Sequence, residues 1–340
     1  MFANPIGFPS INHITKMSIV NISTNFIDLN YADNLRGNLK NYSGANIISG
    51  KFEEQIERLL SSKNGSNVFL YIDPYGIKAL QCSLFDNFAL GQFNSIELLI
   101  NMNSFGFIRE ACHALGTTFN DGSVFDDLVE YDATKMDASE KSISELNDIA
   151  GGDYWQSIIE SYRTNKIDGY EAEYQFAEKY CGRLNKSFSY VLNMPLRIKR
   201  GQRPKYRLIH ATNHKDGCLL MVDNICNRWQ ALQEIQTFGQ MQLWEENCEN
   251  QIIDSSEIEK KVIENFSKIE NRITLHEALA KFFTKHGPIC STCMVKQILK
   301  RLESENRIEI IRNPAKTEKG KPTFFMDEGK GKTIVVRWLS

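Results

Sequence analysis

The 340-residue sequence lacks any apolar run close to the ~18 residues that a membrane span requires. Its first ten residues have neither the basic segment nor the long apolar segment of a signal peptide. The eight cysteines are scattered along the chain, which favours reduced thiols over a disulfide framework. Internal repeats and low-complexity segments are also absent. We therefore expect a soluble cytoplasmic protein with no membrane partner.

A metal site is not predicted either. Cys290 and Cys293 form a lone C-x-x-C pair, with no second pair at the spacing of zinc ligands. We interpret them as residues at the start of a helix. His210 and His214 are four apart, but a change from strand to loop separates them.

The small net charge of −2 conceals an asymmetry. Residues 272–340 carry fourteen Lys and Arg against seven Asp and Glu, a balance of +7 that leaves −9 for the rest of the chain. At ~150 residues per domain, the length suggests about two domains. A basic module on an acidic body favours a partner with phosphates, namely nucleic acid. The alternative is a solvated basic surface.

The first 115 residues alternate between strand and helix patterns. Strands are predicted at 20–28, 46–49, 68–72 and 96–100, and helices at 32–42, 52–60, 77–88 and 107–115. The nearly continuous apolar run at 68–72 is expected to be buried on both faces. This alternation predicts a parallel, doubly wound α/β sheet.

Residues 117–170 interrupt this alternation and are predicted to form an inserted lid or subdomain. A helix at 171–187 and strands at 190–198 and 206–211 follow, and a helix at 217–229 closes the domain, which spans about 1–250. The connection between the two strands is too short for a parallel crossover, so we expect an antiparallel hairpin. Such a pair at the end of a parallel sheet is typical of the S-adenosylmethionine (SAM) methyltransferase fold, a Rossmann-like sheet.

Residues 255–340 show three amphipathic helices, a strand at 307–312, a Gly/Lys-rich loop and a closing strand at 333–338. This order predicts a winged-helix-like module. The side chains predicted to hold nucleic-acid phosphates are Arg312, Lys316, Lys319, Lys321, Lys330 and Lys332. Arg200 and Arg203, in the basic connection of the hairpin, are further candidates, although a solvated hairpin tip would have the same composition.

The strongest candidate for chemistry is the corner formed by Asp73, Pro74, Tyr75 and Gly76, after a predicted strand. Open α/β sheets bind ligands at the carboxyl ends of their strands. Amino-directed methyltransferases have an Asp/Asn-Pro-Pro-aromatic corner there. Its acceptors hold an exocyclic amine, and its ring stacks on the extruded base. Here the aromatic residue comes one position early, and the alternative is a turn shaped by Pro74 and Gly76.

Asp28 ends an earlier predicted strand. An acid at this position can hydrogen-bond both ribose hydroxyls of a nucleoside cofactor. The alternative is an ordinary cap for the helix that follows.

Four stretches in this order resemble the three-Cys-motif partner proteins (TcmP). They are residues 26–28 with the corner at 73–76, residues 98–101 with 108–109, residues 152–155, and residues 206–214 with Gly217 and Met221. The resemblance covers most of the chain. It implies a SAM-methyltransferase-type domain with an insertion and a winged-helix tail, and a partner protein carrying three clustered cysteines.

The resemblance also implies a Gly-rich turn that cradles the cofactor, after a strand at the centre of the sheet. This sequence has no such turn, and Gly7-Phe8-Pro9 is similar to the Gly-Ser-Pro that follows it in the family. Three explanations are open: a start placed too late, a lost cofactor site, or a sheet that pairs again across the gap.

Two functions are accordingly expected. The first is a possible SAM-dependent methyltransferase that acts on or with nucleic acid. In it Asp73 and Tyr75 orient the target group, Pro74 shapes the corner and Asp28 holds the cofactor ribose. The second is a non-enzymatic adaptor that has lost the cofactor site and brings a three-Cys-motif partner to nucleic acid.

Overall fold

The computed structural model describes residues 23–74, 76–119, 142–196, 206–237 and 254–339, with side chains described only to residue 229 in the fourth range. The chain divides into two compact units, Met1–Ser62 and Lys63–Ser340. It has a mixed α/β architecture. None of the described helices combines the length and the apolar character that crossing a membrane requires.

The described part of the first unit, from residue 23 onward, contains two parallel strands and two helices. In chain order these are β1 (Thr24–Asp28), α1 (Ala32–Asn38), β2 (Ala45–Ser49) and α2 (Phe52–Ser61). Strands β1 and β2 pair in parallel along their whole length. Helix α2 is amphipathic and buries Ile56 and Leu60, which are four residues apart on one face. The four predicted elements of this region are therefore present.

The second unit begins with a sheet and its flanking helices. The elements are β3 (Asn67–Ile72), a 3₁₀ turn (Lys78–Leu80), α3 (Cys82–Ala89), β4 (Ser95–Met102), α4 (Ser104–Ala114), α5 (Ile143–Ala150), α6 (Tyr154–Arg163), α7 (Gly169–Leu184), β5 (Tyr190–Leu196), β6 (Tyr206–Thr212) and α8 (Lys215–Thr237). The strand order is β3-β4-β6-β5. Strands β3 and β4 are parallel, and β6 is antiparallel to both β4 and β5. The predicted antiparallel hairpin is confirmed.

The prediction that residues 68–72 are buried on both faces is wrong. Strand β3 lies at an edge of the four-stranded sheet, and its side chains alternate between solvent and core. Phe69 and Tyr71 are 55% and 56% exposed, whereas Ile72 is 3% exposed. A continuous apolar run does not by itself reveal the position of a strand within a sheet, because edge strands can carry apolar residues on both faces.

Much of the predicted insertion at 117–170 is packed into the domain. Helices α5 and α6 bury Leu146, Trp155 and Ile158. The ring of Phe107 on α4 stacks on Phe176 of α7 with centroids 4.0 Å apart and meets Trp155 edge to face at 6.0 Å. Residues 142–163 therefore contribute buried side chains to the core of this unit. The rest of the predicted insertion, from 120 to 141, lies outside the described residues.

The C-terminal module consists of three helices and a three-stranded sheet. Its elements are α9 (Ser255–Phe266), β7 (Ile273–Thr274), α10 (Leu275–His286), α11 (Thr292–Ser304), β8 (Ile308–Asn313) and β9 (Thr333–Trp338). The strand order is β7-β9-β8, and both pairings are antiparallel. The predicted helices and hairpin are confirmed. The two-residue strand β7 is an addition that the sequence pattern did not indicate.

The boundary predicted near residue 250 does not separate two cores. A single buried cluster includes Leu192 of β5 and Val222 of α8, together with Phe282 of α10 and Val295 of α11. Helix α8 supplies the reason, since its apolar face packs against α10 of the C-terminal module. The module and the sheet domain thus belong to one compact unit, Lys63–Ser340.

Candidate functional site

Asp73 lies immediately after β3, at the carboxyl end of the parallel pair β3 and β4. Ile72 is opposite Ile100 in the parallel register, so the next residues, Asp73 and Asn101, are neighbours across the sheet. The Asn101 side-chain amide Nδ2 donates to Asp73 Oδ1 at 2.9 Å. Asp73 is solvent-exposed, and this is the edge at which open α/β sheets bind ligands.

Tyr71 lies two residues before Asp73, near the end of β3, and its phenol is close enough to interact with the Asp73 carboxylate. Partial burial of its ring and the nearby carboxylate of Asp73 both raise the pKa of Tyr71 above 10. The phenol is thus protonated at neutral pH and can donate a hydrogen bond. Pro74 is half-buried beside it, and Tyr75 lies outside the described residues.

Asn101 was not among the predicted site residues. Its Oδ1 atom is buried and has no hydrogen-bond partner in the described part of the chain. A buried acceptor without a partner costs about 1–3 kcal/mol and is uncommon in native proteins. One feature of the sequence could have identified Asn101: it is a polar residue near the carboxyl end of the otherwise apolar run of β4. We define Tyr71, Asp73, Pro74 and Asn101 as the carboxyl-end site.

A buried ion pair stabilises the structure next to this site. Arg207, opposite Met102 in the ladder, donates from Nη2 to Glu173 Oε2 at 2.8 Å, and Ser104 at the start of α4 donates to the same carboxylate. The side chains of Arg207 and Glu173 are only 5% and 3% exposed. Arg207 therefore joins β6 to α7 and is not available to nucleic acid. Arg200 and Arg203, in the same basic run, lie outside the described residues.

Asp28 ends β1, as predicted, and its carboxylate caps the residues that follow. Oδ1 accepts from the backbone N–H groups of Asn30 and Tyr31 at 2.8 and 2.6 Å. No described residue donates to Oδ2. The capping role expected as the alternative is thus present, and one oxygen is left for another ligand.

The described residues offer little that would hold SAM. Asp28 has one carboxylate oxygen for a ribose hydroxyl, and none of the described parallel strands is followed by a Gly-rich turn that could cradle the rest of the cofactor.

A second candidate site is the loop between β8 and β9, residues 314–332, which we call the basic loop. It contains Lys316, Lys319, Lys321, Lys330 and Lys332, all exposed. None of the five forms an ion pair with a carboxylate of the described residues, whereas most of the other lysines of this module do.

Two of the three acids in the basic loop are engaged elsewhere. Asp327 accepts from Lys296 of α11 at 2.7 Å, and this contact lowers the pKa of Asp327. Glu328 accepts from the backbone N–H of Ile334 at 3.0 Å and lies 3.5 Å from Nδ1 of His276. Glu318 is the remaining acid. The exposed charge of the loop is therefore strongly positive.

Arg312 was predicted to contact phosphates, but its environment is structural. The residue is 8% exposed. Its two terminal nitrogens donate to the carboxylate oxygens of Glu303 at 2.6 and 2.7 Å, and Nε donates to the carbonyl of Phe325 at 2.9 Å. A guanidinium engaged in this way cannot reach a phosphate, so Arg312 is removed from the candidate interface.

The weaker candidates have structural roles. Burial raises the pKa of Cys290 to about 12, and Cys293 is exposed at the start of α11, so the pair does not form a thiolate site. His210 is buried with its Nε2 atom 3.0 Å from Glu97 Oε2. Within the described ranges, no three His, Cys, Asp or Glu side chains are grouped closely enough to hold a metal ion.

No protein-family model matches the chain, and comparisons with curated proteins and with solved structures likewise found no match.

Proposed function

We propose that this protein binds nucleic acid through the basic loop of its C-terminal module, and that this module is carried on a methyltransferase-like domain of the three-Cys-motif partner type. The observation that carries the proposal is the set of five exposed lysines without carboxylate partners in residues 314–332. Unpaired lysines on one loop are suited to phosphate contacts, because each contact releases counterions from the nucleic acid.

The order of elements supports a winged-helix identity for the module. Helix α9, strand β7, helices α10 and α11, and the hairpin β8–β9 follow the order of helix-turn-helix proteins with a wing. In that interpretation the basic loop is the wing. Its five lysines would then project toward the nucleic-acid backbone.

The strand order supports a methyltransferase-like identity for the larger domain. Two parallel strands followed by an antiparallel pair, β3-β4-β6-β5, form one half of the sheet expected for a SAM-methyltransferase-type fold. The carboxyl-end site lies at the ligand-binding edge of this sheet. A three-Cys-motif protein as partner follows from the family resemblance alone.

The carboxyl-end site supports recognition of an amino group. The Asp73 carboxylate accepts from Asn101 with one oxygen and can accept an N–H of a ligand with the other. The exposed ring of Tyr71 can stack on a base that has left its helix. These residues can bind and orient an exocyclic amine, and positioning is the main requirement when the transferred group is already activated.

Fluorescence anisotropy with labelled oligonucleotides tests nucleic-acid binding. The triple variant Lys316→Gln, Lys319→Gln, Lys321→Gln should weaken binding and reduce the slope of log affinity against log salt by about 2. The matched control replaces Lys261, Lys268 and Lys281 by Gln. Each of these forms an ion pair with a Glu four residues earlier. Equal losses in both triple variants would refute the basic loop as the interface.

The adaptor is the second candidate, since it requires the unpaired lysines of the basic loop but no cofactor site. Calorimetric titration of SAM distinguishes the two. Micromolar binding would support the enzyme, with the carboxyl-end site orienting the acceptor. A lack of SAM binding combined with nucleic-acid binding would support the adaptor.

A further inference from the structure

Phe324 is the most exposed aromatic side chain in the described part of the C-terminal module, at 71% exposure. It follows directly on a small hairpin inside the basic loop. In that hairpin Lys316 pairs with Pro322, and Thr317 N–H donates to the Lys321 carbonyl at 2.8 Å. The ring therefore lies beside the lysines that carry the proposed function.

The residues on both sides of Phe324 are anchored. Thr323 donates from its backbone N–H to Ala315 at 3.0 Å and from its hydroxyl to Pro314 at 2.7 Å. The carbonyl of Phe325 accepts from Arg312, and Met326 is buried. These contacts fix the backbone on both sides of Phe324. The conformation of the loop itself therefore holds the ring at the surface.

The surroundings of the ring combine charge with an apolar face. A shallow hollow is lined by Thr317, Glu318, Lys319, Lys321, Pro322 and Phe324. Lysines that follow a phosphate backbone, next to an aromatic ring on which a base can stack, are the combination by which proteins bind single-stranded nucleic acid.

We propose that the basic loop prefers single-stranded nucleic acid over duplex, with Phe324 stacking on an unpaired base. This inference rests on the proposed function. In a duplex the base faces are covered by their neighbours, so an exposed ring gains nothing there. Stacking and phosphate contacts carry little sequence information, so we expect little sequence preference.

The test uses the full-length chain with a fluorescein-labelled 20-nucleotide oligothymidylate and a 20-base-pair duplex. We expect tighter binding of the single strand. Phe324→Ala and Phe324→Leu should each weaken single-strand binding by about 5- to 150-fold, the range for loss of one stacked base. Phe324→Trp should retain affinity, and its fluorescence should be quenched by the single strand. Duplex affinity should change little in all three variants.

Tyr42→Ala is the matched control, because Tyr42 is 68% exposed and lies far from the basic loop in sequence. Thermal unfolding of each variant checks that the fold is intact. Single-strand binding by Phe324→Leu equal to that of the original chain would overturn the stacking inference. The proposed function would survive that result if the Lys316/Lys319/Lys321 variant still lost affinity, whereas failure of both oligonucleotides to bind would overturn both proposals.

Discussion

Arg312 shows how the environment of a single residue decides its role. Its guanidinium forms a bidentate pair with Glu303 at 2.6 and 2.7 Å while the residue is 8% exposed. Removing one partner of such a pair leaves the charge of the other partner without an opposite charge to compensate it. We expect Arg312→Ala to lower the free energy of unfolding by about 3 kcal/mol, measured by chemical denaturation, with no change in nucleic-acid affinity of the folded fraction.

The control for that experiment is Lys316→Ala, at an exposed position without an ion pair. It should leave stability within about 0.5 kcal/mol of the original while weakening nucleic-acid binding. The opposite pattern, with Arg312→Ala stable but defective in binding, would restore Arg312 as a phosphate contact.

Asp73 is the residue on which the catalytic hypothesis depends. Because it is exposed and accepts from Asn101, its replacement removes an acceptor without opening the core. In the enzyme hypothesis we expect Asp73→Ala to abolish methyl transfer, assayed with labelled SAM, while nucleic-acid affinity stays intact. Asn101→Ala should reduce transfer less, because in that hypothesis Asn101 contributes only through its hydrogen bond to Asp73. Unchanged transfer in Asp73→Ala would remove it from the mechanism.

The sequence identified a candidate residue correctly where the local sequence pattern also predicts that its side chain is exposed. Asp73 and the lysines were identified because they lie at a strand end and in a Gly/Lys-rich loop. Arg312 was assigned to the interface because sequence gives its charge but not its burial. Asn101 was missed because its importance depends on Asp73, which follows another strand. Phe324 was missed because the apolar run Phe324-Phe325-Met326 does not reveal which of its side chains is exposed.

At the scale of elements, the helix–strand order was predictable and local breaks were not. Strand β9 was predicted at 333–338 and occupies Thr333–Trp338. The helix predicted at 77–88 is instead a 3₁₀ turn and a separate helix, because Gln81 adopts an extended conformation (φ −60°, ψ 116°). Apolar spacing alone cannot reveal such a break, since both pieces contribute buried residues to one core.

Strand β3 allows a test of its edge position. Phe69 is 55% exposed and Ile72 is 3% exposed. Replacing an exposed apolar residue costs little, whereas truncating a buried Ile costs about 2–5 kcal/mol. We expect Phe69→Thr to be nearly neutral and Ile72→Ala to be strongly destabilising in chemical denaturation. Comparable losses in the two variants would mean that both faces of β3 are covered, as its apolar sequence first suggested.

The contact between α3 and α7 should make stability depend on pH. Burial alone would raise the pKa of Asp86, but hydrogen bonds from Arg183 and Ser187 outweigh it and lower that pKa below its ordinary value. Arg183 Nη1 lies 3.1 Å from Asp86 Oδ1. A carboxyl whose pKa is lower in the folded state stabilises the fold above the unfolded pKa of ~3.9. This contribution is lost as the pH falls through the lowered value.

Asp86→Asn should therefore be less stable than the original chain by about 2 kcal/mol at neutral pH. The difference should shrink below about pH 4, as measured by chemical denaturation across that range. Asp148→Asn, at an exposed position, serves as the control. A difference that stays constant at every pH would show that packing, rather than the carboxylate charge, accounts for the loss.

At the scale of the whole molecule, the question is whether the C-terminal module folds independently. The change of element pattern after residue 250, together with the basic balance of residues 272–340, predicted a separate module. The buried side chains do not divide at this boundary. Leu192 and Val222 of the sheet domain share one hydrophobic cluster with Phe282 and Val295 of the module. Charge patterning reports which surfaces face water, and it carries no information about which apolar faces meet across the boundary.

Cooperative unfolding distinguishes these possibilities, and the tryptophans provide the probes. Trp155 is fully buried in α6 of the sheet domain, and Trp338 ends β9 of the module. In single-tryptophan variants that retain one or the other, we expect coincident denaturation midpoints, because elements that share one core unfold together. Val222→Ala, which opens the shared cluster, should lower both midpoints by the same amount. Separate midpoints, with only one shifted by Val222→Ala, would mean that the module is an independent domain as its charge suggested.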